Sequence, residues 1–136
     1  MEPDALDLLN NLAAAYRLQG RSDDWEPLIH QIHRRDPDYL FGRINMASYY
    51  LDEGNLEEAR EMLTPLLSRQ RLHVTEFTAL CQIQIELCRA EGHLDGARSW
   101  LNIWEQLDPD HPGLKHFRRR LAPVRLWDSL SGLLGR

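Results

Sequence analysis

Residues 46–63 read MASYYLDEGNLEEAREML, and the glycine near their centre decides the fold. Before Gly54, Met46, Ala47 and Tyr50 share one face of a helical pattern; after it, Leu56, Ala59, Leu63 and then Leu66 share another. A glycine between two such patterns lets the chain leave the first helix in a left-handed conformation that a side chain would resist. The result is two helices joined by a tight turn, each with an apolar face that must be buried against a neighbour.

The same arrangement recurs on either side. Gly20 lies 34 positions before Gly54, and Gly92 lies 38 after it. Each glycine is followed five residues later by an apolar or small residue: Trp25, Ala59 and Ala97. Glu2-Pro3-Asp4, Asp36-Pro37-Asp38 and Asp108-Pro109-Asp110 recur in step. A period of this size marks stacked helix-turn-helix units. It predicts helices near residues 5–19, 23–35, 39–52, 56–69, 74–91, 94–107 and 113–122, a shorter one near 124–134, and no strand. Trp25, Leu28, Ile29 and Ile32 form the apolar face of the second helix. Ser22, Asp23 and Asp24 are expected to supply its cap and acidic first turn, and Asn55, Glu57 and Glu58 those of the fourth.

Two prolines interrupt these patterns. Pro27 is expected within the first turn of its helix, where a missing amide hydrogen costs little. Pro65 lies well inside the fourth helix, where it removes a hydrogen bond and crowds the preceding turn at a cost of about 3 kcal/mol. A kink or an early end near Thr64 follows, and the four-residue extension before the third unit implies an altered stacking angle there.

These residues resemble the tetratricopeptide repeat family. Leu9, Leu12, Ala13, Tyr16, Gly20, Trp25, Ile29, Ile32 and Pro37 follow the family's order of large, small and turn residues across one repeat. The second unit repeats it with Arg43 where an aromatic is usual and Arg71 where the proline is usual. The third keeps Gly92, Ala97, Leu101, Trp104 and Pro109, with Cys88 in place of the tyrosine. The resemblance covers residues 6–111 and implies an all-α solenoid, a right-handed superhelical stack of antiparallel helix pairs. The units fall at 6–39, 40–73 and 74–111, with residues 1–5 matching the end of a preceding repeat and 112–136 forming a basic capping tail.

The resemblance also implies a site. The inner faces of the family's first helices line a concave groove that binds protein or peptide. Here they place Asn10, Ala14 and Arg17 on one side of Phe41, Ile44, Asn45 and Ser48, and Gln82, Glu86 and Arg89 on the other. Asn10 and Ala14 stand where the chaperone-tail-binding members need a lysine and an asparagine; only Asn45 is kept. The expected ligand is therefore a peptide with an apolar or aromatic anchor, held by amide and arginine hydrogen bonds. The bland alternative buries Phe41 and Ile44 beneath a neighbouring helix. A domain of a larger protein is the expected setting, and a structural spacer or self-association module, as in a homo-dimer, is the competing function.

Composition narrows the rest. At 136 residues and 43% hydrophobic, the chain has material for one domain with a continuous core. It has no apolar run of the roughly 18 residues needed to span a membrane and no basic, apolar leader, so a cytoplasmic location is the default. Cys81 and Cys88, seven residues apart on one helix, are separated by about 10.5 Å, beyond the roughly 7 Å reach of a disulfide, and read as core residues. His30 and His33 lack a third ligand nearby, as do His111 and His116, so no metal or cofactor is expected. No phosphate loop, nucleophile elbow or His-Glu-x-x-His motif occurs, so neither an enzyme nor a small-molecule substrate is expected.

Charge is divided unevenly. Residues 1–112 carry a net minus ten and residues 113–136 a net plus five, from Lys115, Arg118, Arg119, Arg120, Arg125 and Arg136 against Asp128. The overall acidity weighs against nucleic acid. Leu114, Phe117 and Leu121 share a face suited to closing the end of a solenoid, and beyond Pro123 come Leu126, Trp127, Leu130, Leu133 and Leu134. The tail either folds back on the last repeat or offers Phe117, Trp127 and Leu130 to a partner or second copy. A membrane surface is the weakest reading, because the cations cluster before Pro123 and the greasiest part carries little charge.

Overall fold

The computed structural model describes residues 5–122, and these are helical with no strand among them. α1 (Ala5–Leu18) and α2 (Ser22–Arg35) form the first pair, and α3 (Leu40–Asp52) and α4 (Leu56–Leu63) the second. α5 (Val74–Ala90) and α6 (Leu94–Leu107) form the third, followed by α7 (Leu114–Leu121). All but the fourth lie within one residue of the expected ranges. The expected segment near 124–134, with Arg125, Trp127 and Leu130, and the Glu2-Pro3-Asp4 motif lie outside the described residues.

One turn is built three times. Gly20, Gly54 and Gly92 have φ of 70°, 78° and 80°, the left-handed region. At each, the glycine amide bonds the carbonyl three residues back, and the next amide reaches five back: Arg21 to Tyr16 at 2.9 Å, Asn55 to Tyr50 at 2.8 Å and His93 to Cys88 at 2.8 Å. This double bond satisfies the last carbonyls of the outgoing helix. It uses only backbone atoms of the residue at the tyrosine position, so Cys88 serves as well as Tyr16 or Tyr50.

The turn also corrects the capping expectation. α2 starts at Ser22 with Arg21 as its N-cap, and neither Arg21 nor Asn55 makes a side-chain cap hydrogen bond. Leaving a left-handed glycine sets these N-caps at ψ of 68° and 75°, away from the extended backbone that aims a side chain at the helix amides. The acidic residues of the first turns, Asp23, Asp24, Glu57 and Glu58, are in place. Pro27 likewise needs correction. It lies beyond the first turn, as the sixth residue of α2, and takes an amide from the carbonyl of Asp23, an exposed residue.

Pro65 acts as expected. α4 ends at Leu63 and the chain continues as a 3-10 helix over Thr64–Ser68. Without the Pro65 amide, the carbonyl of Glu61 loses its α-helical partner, and the tighter winding withdraws one from Met62. Arg43 on α3 takes their place, donating Nε to the Met62 carbonyl at 2.7 Å and a terminal nitrogen to that of Glu61 at 3.3 Å. Its other terminal nitrogen bonds the Pro37 carbonyl at 2.9 Å.

The core follows the stack. Ala13, Trp25, Ile29, Ile32 and Met46 join α1, α2 and α3. Leu40, Ala47, Ala59, Leu63, Leu66, Leu80 and Leu87 join α3, α4 and α5. Cys81, Ile85, Ala97, Leu101 and Trp104 join α5 and α6, and α7 covers them with Leu114, Phe117 and Leu121, all buried. Each cluster thus spans one helix pair and the next helix, so burial passes along the chain without a central core. The carbonyl of Leu121 accepts from Arg98 Nε at 3.1 Å, which fixes the end of α7 against α6.

Candidate protein-binding face

α1, α3 and α5 carry the polar residues expected along the inner face, and several of them meet. Asn45 donates from Nδ2 to Asn10 Oδ1 at 2.9 Å, and Arg17 donates to Ser48 Oγ at 3.2 Å. The same Arg17 nitrogen pairs with Asp52 at 2.7 Å, and its guanidinium lies 4.2 Å from the ring centre of Trp25. Farther along, Arg89 pairs with Glu86 at 3.4 Å. A shallow depression of about 350 Å³, lined by Leu51, Asp52, Glu86, Arg89 and Ala90, runs from α3 to α5. α3 and α5 therefore present one continuous surface, extended to α1 by Arg17.

The remaining positions differ. Ala14 is exposed on α1. Gln82 lies apart from the ion pairs, lining a cleft of about 220 Å³ with Thr78, Ala79, Asp108 and His111. Phe41 and Ile44 are half-buried and pack against the middle core cluster, with the Phe41 ring edge-on to Tyr39 at 6.0 Å between centres. Two side chains absent from the sequence-based list complete the network: Asp52, the partner of Arg17, and Arg120 of α7, which reaches Glu86 at 3.3 Å. Their signal was charge sign alone, since each contact joins residues more than 30 positions apart.

The ion pair that joins α1 to α3 is open to solvent. The side chains of Arg17 and Asp52 are 42% and 49% exposed, so water screens the pair and its net worth is at most about 1 kcal/mol. The tighter pair lies outside the face: Arg60 on α4 binds Glu91 at the end of α5, and this bond holds the Glu91 carboxyl below its ordinary range. Among the described residues, no three His, Cys, Asp or Glu side chains are grouped to hold a metal ion, and no helix is long and apolar enough to cross a membrane.

The tetratricopeptide repeat family model matches residues 40–63, which span α3, the Gly54 turn and α4. The middle helix pair is thus similar to a tetratricopeptide-type helical repeat. The matched segment is the middle pair, and the Gly20 and Gly92 turns reproduce its geometry in the pairs on either side. Comparison with curated proteins and with solved structures gives no match. Tetratricopeptide repeats generally mediate protein–protein interaction.

Proposed function

We propose that this chain is a non-catalytic interaction module that holds a segment of another protein along the face made by α1, α3 and α5. The observation that carries this reading is the run of exchangeable polar groups across three successive first helices, from Asn10 and Asn45 through Arg17, Ser48 and Asp52 to Glu86 and Arg89. Amides and guanidinium groups at this spacing suit the carbonyls and carboxylates of an extended peptide. Phe41 and Ile44, half-buried at the edge of the core, offer apolar contact for an anchor side chain. A protein partner, with no small-molecule substrate, and a cytoplasmic setting fit this reading.

The test combines Arg17→Ala, Asn45→Ala and Arg89→Ala. These change the face, and only Arg17, stacked on Trp25, touches a core cluster, so the melting temperature should fall slightly while capture of the native partner falls at least tenfold. Unchanged capture would rule the face out.

A second reading, self-association, draws on α1. Leu8 and Leu12 are 56% and 42% exposed and share its outer side. Light scattering that shows a dimer, lost on Leu8→Ser with Leu12→Ser, would favour it over the peptide groove.

A further inference from the structure

We propose that the outward face of α7 is a docking site for a short acidic segment of a partner protein, a run of Asp or Glu side chains. Leu114, Phe117 and Leu121 turn inward and are buried, so Lys115, His116, Arg118, Arg119 and Arg120 all stand in water. The fold neutralises two of these cations. Arg118 pairs with Glu105 of α6, and Arg120 reaches Glu86 of α5 at 3.3 Å. Lys115 and Arg119 have no acidic partner among the described residues. The sequence beyond α7 does not supply the balance, because it brings Arg125 and Arg136 against Asp128.

These two cations do nothing for the helix that bears them. They stand one turn apart, about 6 Å along the axis, where like charges weaken a helix. Lys115 lies in the first turn, the end at which the dipole favours an anion, and no acidic residue is there. With Pro112 and His116 they line a shallow depression of about 360 Å³. Arg120 lies 3.2 Å from His116 Nε2. A guanidinium only donates, so Nε2 accepts and the ring proton sits on Nδ1, where it can donate to an anion. Arg119 offers a planar fork to one carboxylate, and Lys115 a point charge to a second.

The surroundings of the patch select its occupant. Glu105 and Glu86 flank it, so a polyphosphate, charged along its whole length, would soon leave the cations, and the net charge of −5 opposes a long polyanion. The exposed side of α7 has no apolar side chain to enter a bilayer. A short acidic stretch of protein needs neither a long track nor an apolar one. Arg120, bonded to Glu86 beside Arg89, joins the patch to the end of the inner face, so the acidic stretch flanks the segment held there, an assignment that rests on the proposed function.

The test is a titration of the full chain at low salt with a hexaglutamate peptide, followed by amide chemical shifts. Shifts should concentrate at Lys115, His116 and Arg119, and the affinity should fall as added salt shortens the screening length. Lys115→Gln with Arg119→Gln should weaken binding about fivefold and leave the melting temperature unchanged, since both side chains are exposed. Arg17→Ala should bind hexaglutamate as the unaltered chain does, which separates a failure here from a failure of the inner face. No binding of hexaglutamate, binding no tighter than that of a hexaserine peptide, or an unchanged affinity in Lys115→Gln with Arg119→Gln would overturn the proposal. Tighter binding of a short oligonucleotide or of phosphatidylserine vesicles, lost on the same substitutions, would give the patch to nucleic acid or to a membrane and equally overturn it.

Discussion

Arg43 Nε lies 2.7 Å from the Met62 carbonyl oxygen, so a side chain of α3 closes the end of α4 that Pro65 cuts short. Two irregularities of the middle unit, Arg43 at the usual aromatic position and Pro65 inside its second helix, thereby become one device. Arginine replaces an aromatic because the neighbouring helix ends in carbonyls that need a charged donor.

Arg43→Ala should therefore destabilise the protein by about 1–3 kcal/mol, more than loss of an exposed arginine, because its carbonyl partners lose a charged hydrogen bond. Pro65→Ala should recover part of this loss by returning an amide to Glu61. Urea titration of the two single variants and the double one checks the coupling. A neutral Arg43→Ala would show that water serves these carbonyls equally well.

Gln84 is 1% exposed, and neither its Oε1 nor its Nε2 has a hydrogen-bond partner. An unpaired buried amide costs about 1–3 kcal/mol, so Gln84→Met, nearly equal in size, should raise the denaturation midpoint. A lower midpoint would mean that the amide is satisfied in solution.

His33 gives a pH dependence. Burial lowers its pKa below the ordinary 6.5, with Arg43 and His30 adding to the effect, and its Nδ1 is buried without a partner. The unfolded chain binds this proton near pH 6.5 while the folded one resists it. The contribution of His33 to stability is therefore complete above pH 6.5 and is lost as pH falls through the lowered value. His33→Gln should flatten the fall in melting temperature between pH 7 and 5; an identical slope in the variant would remove His33 from the account.

Burial pushes the Cys81 thiol up to about 12, so almost no thiolate exists at neutral pH. Iodoacetamide should leave Cys81 unmodified in the folded protein and label it in urea, as peptide mass spectrometry can show. Rapid labelling without denaturant would mean that α5 opens.

The helices and their turns were legible because each rests on local rules: apolar spacing, a glycine at the turn, and Pro65 at the break. The cap at Asn55 was misread because the backbone of the Gly54 turn aims that side chain away from the helix. Pairings such as Asn10 with Asn45, Arg17 with Asp52 and Glu86 with Arg120 depend on how successive units stack, which no local pattern encodes. The open cavity of about 360 Å³ beside Leu67, Val74 and Leu107 was hidden for a similar reason. Leu67, Val74 and Leu107 sit at or near helix ends, where apolar periodicity cannot say which faces meet.

The central claim is that another protein lies along the inner face. A photo-crosslinking residue placed at exposed Ala14 or half-buried Ser48, both proposed to line that face, tests it most directly when compared with the same residue at exposed Glu57 on α4. In the native cellular setting, a discrete protein adduct should form from Ala14 and Ser48 and be absent from Glu57. Adducts from Glu57 alone, or from none of the three positions, would contradict the proposed face.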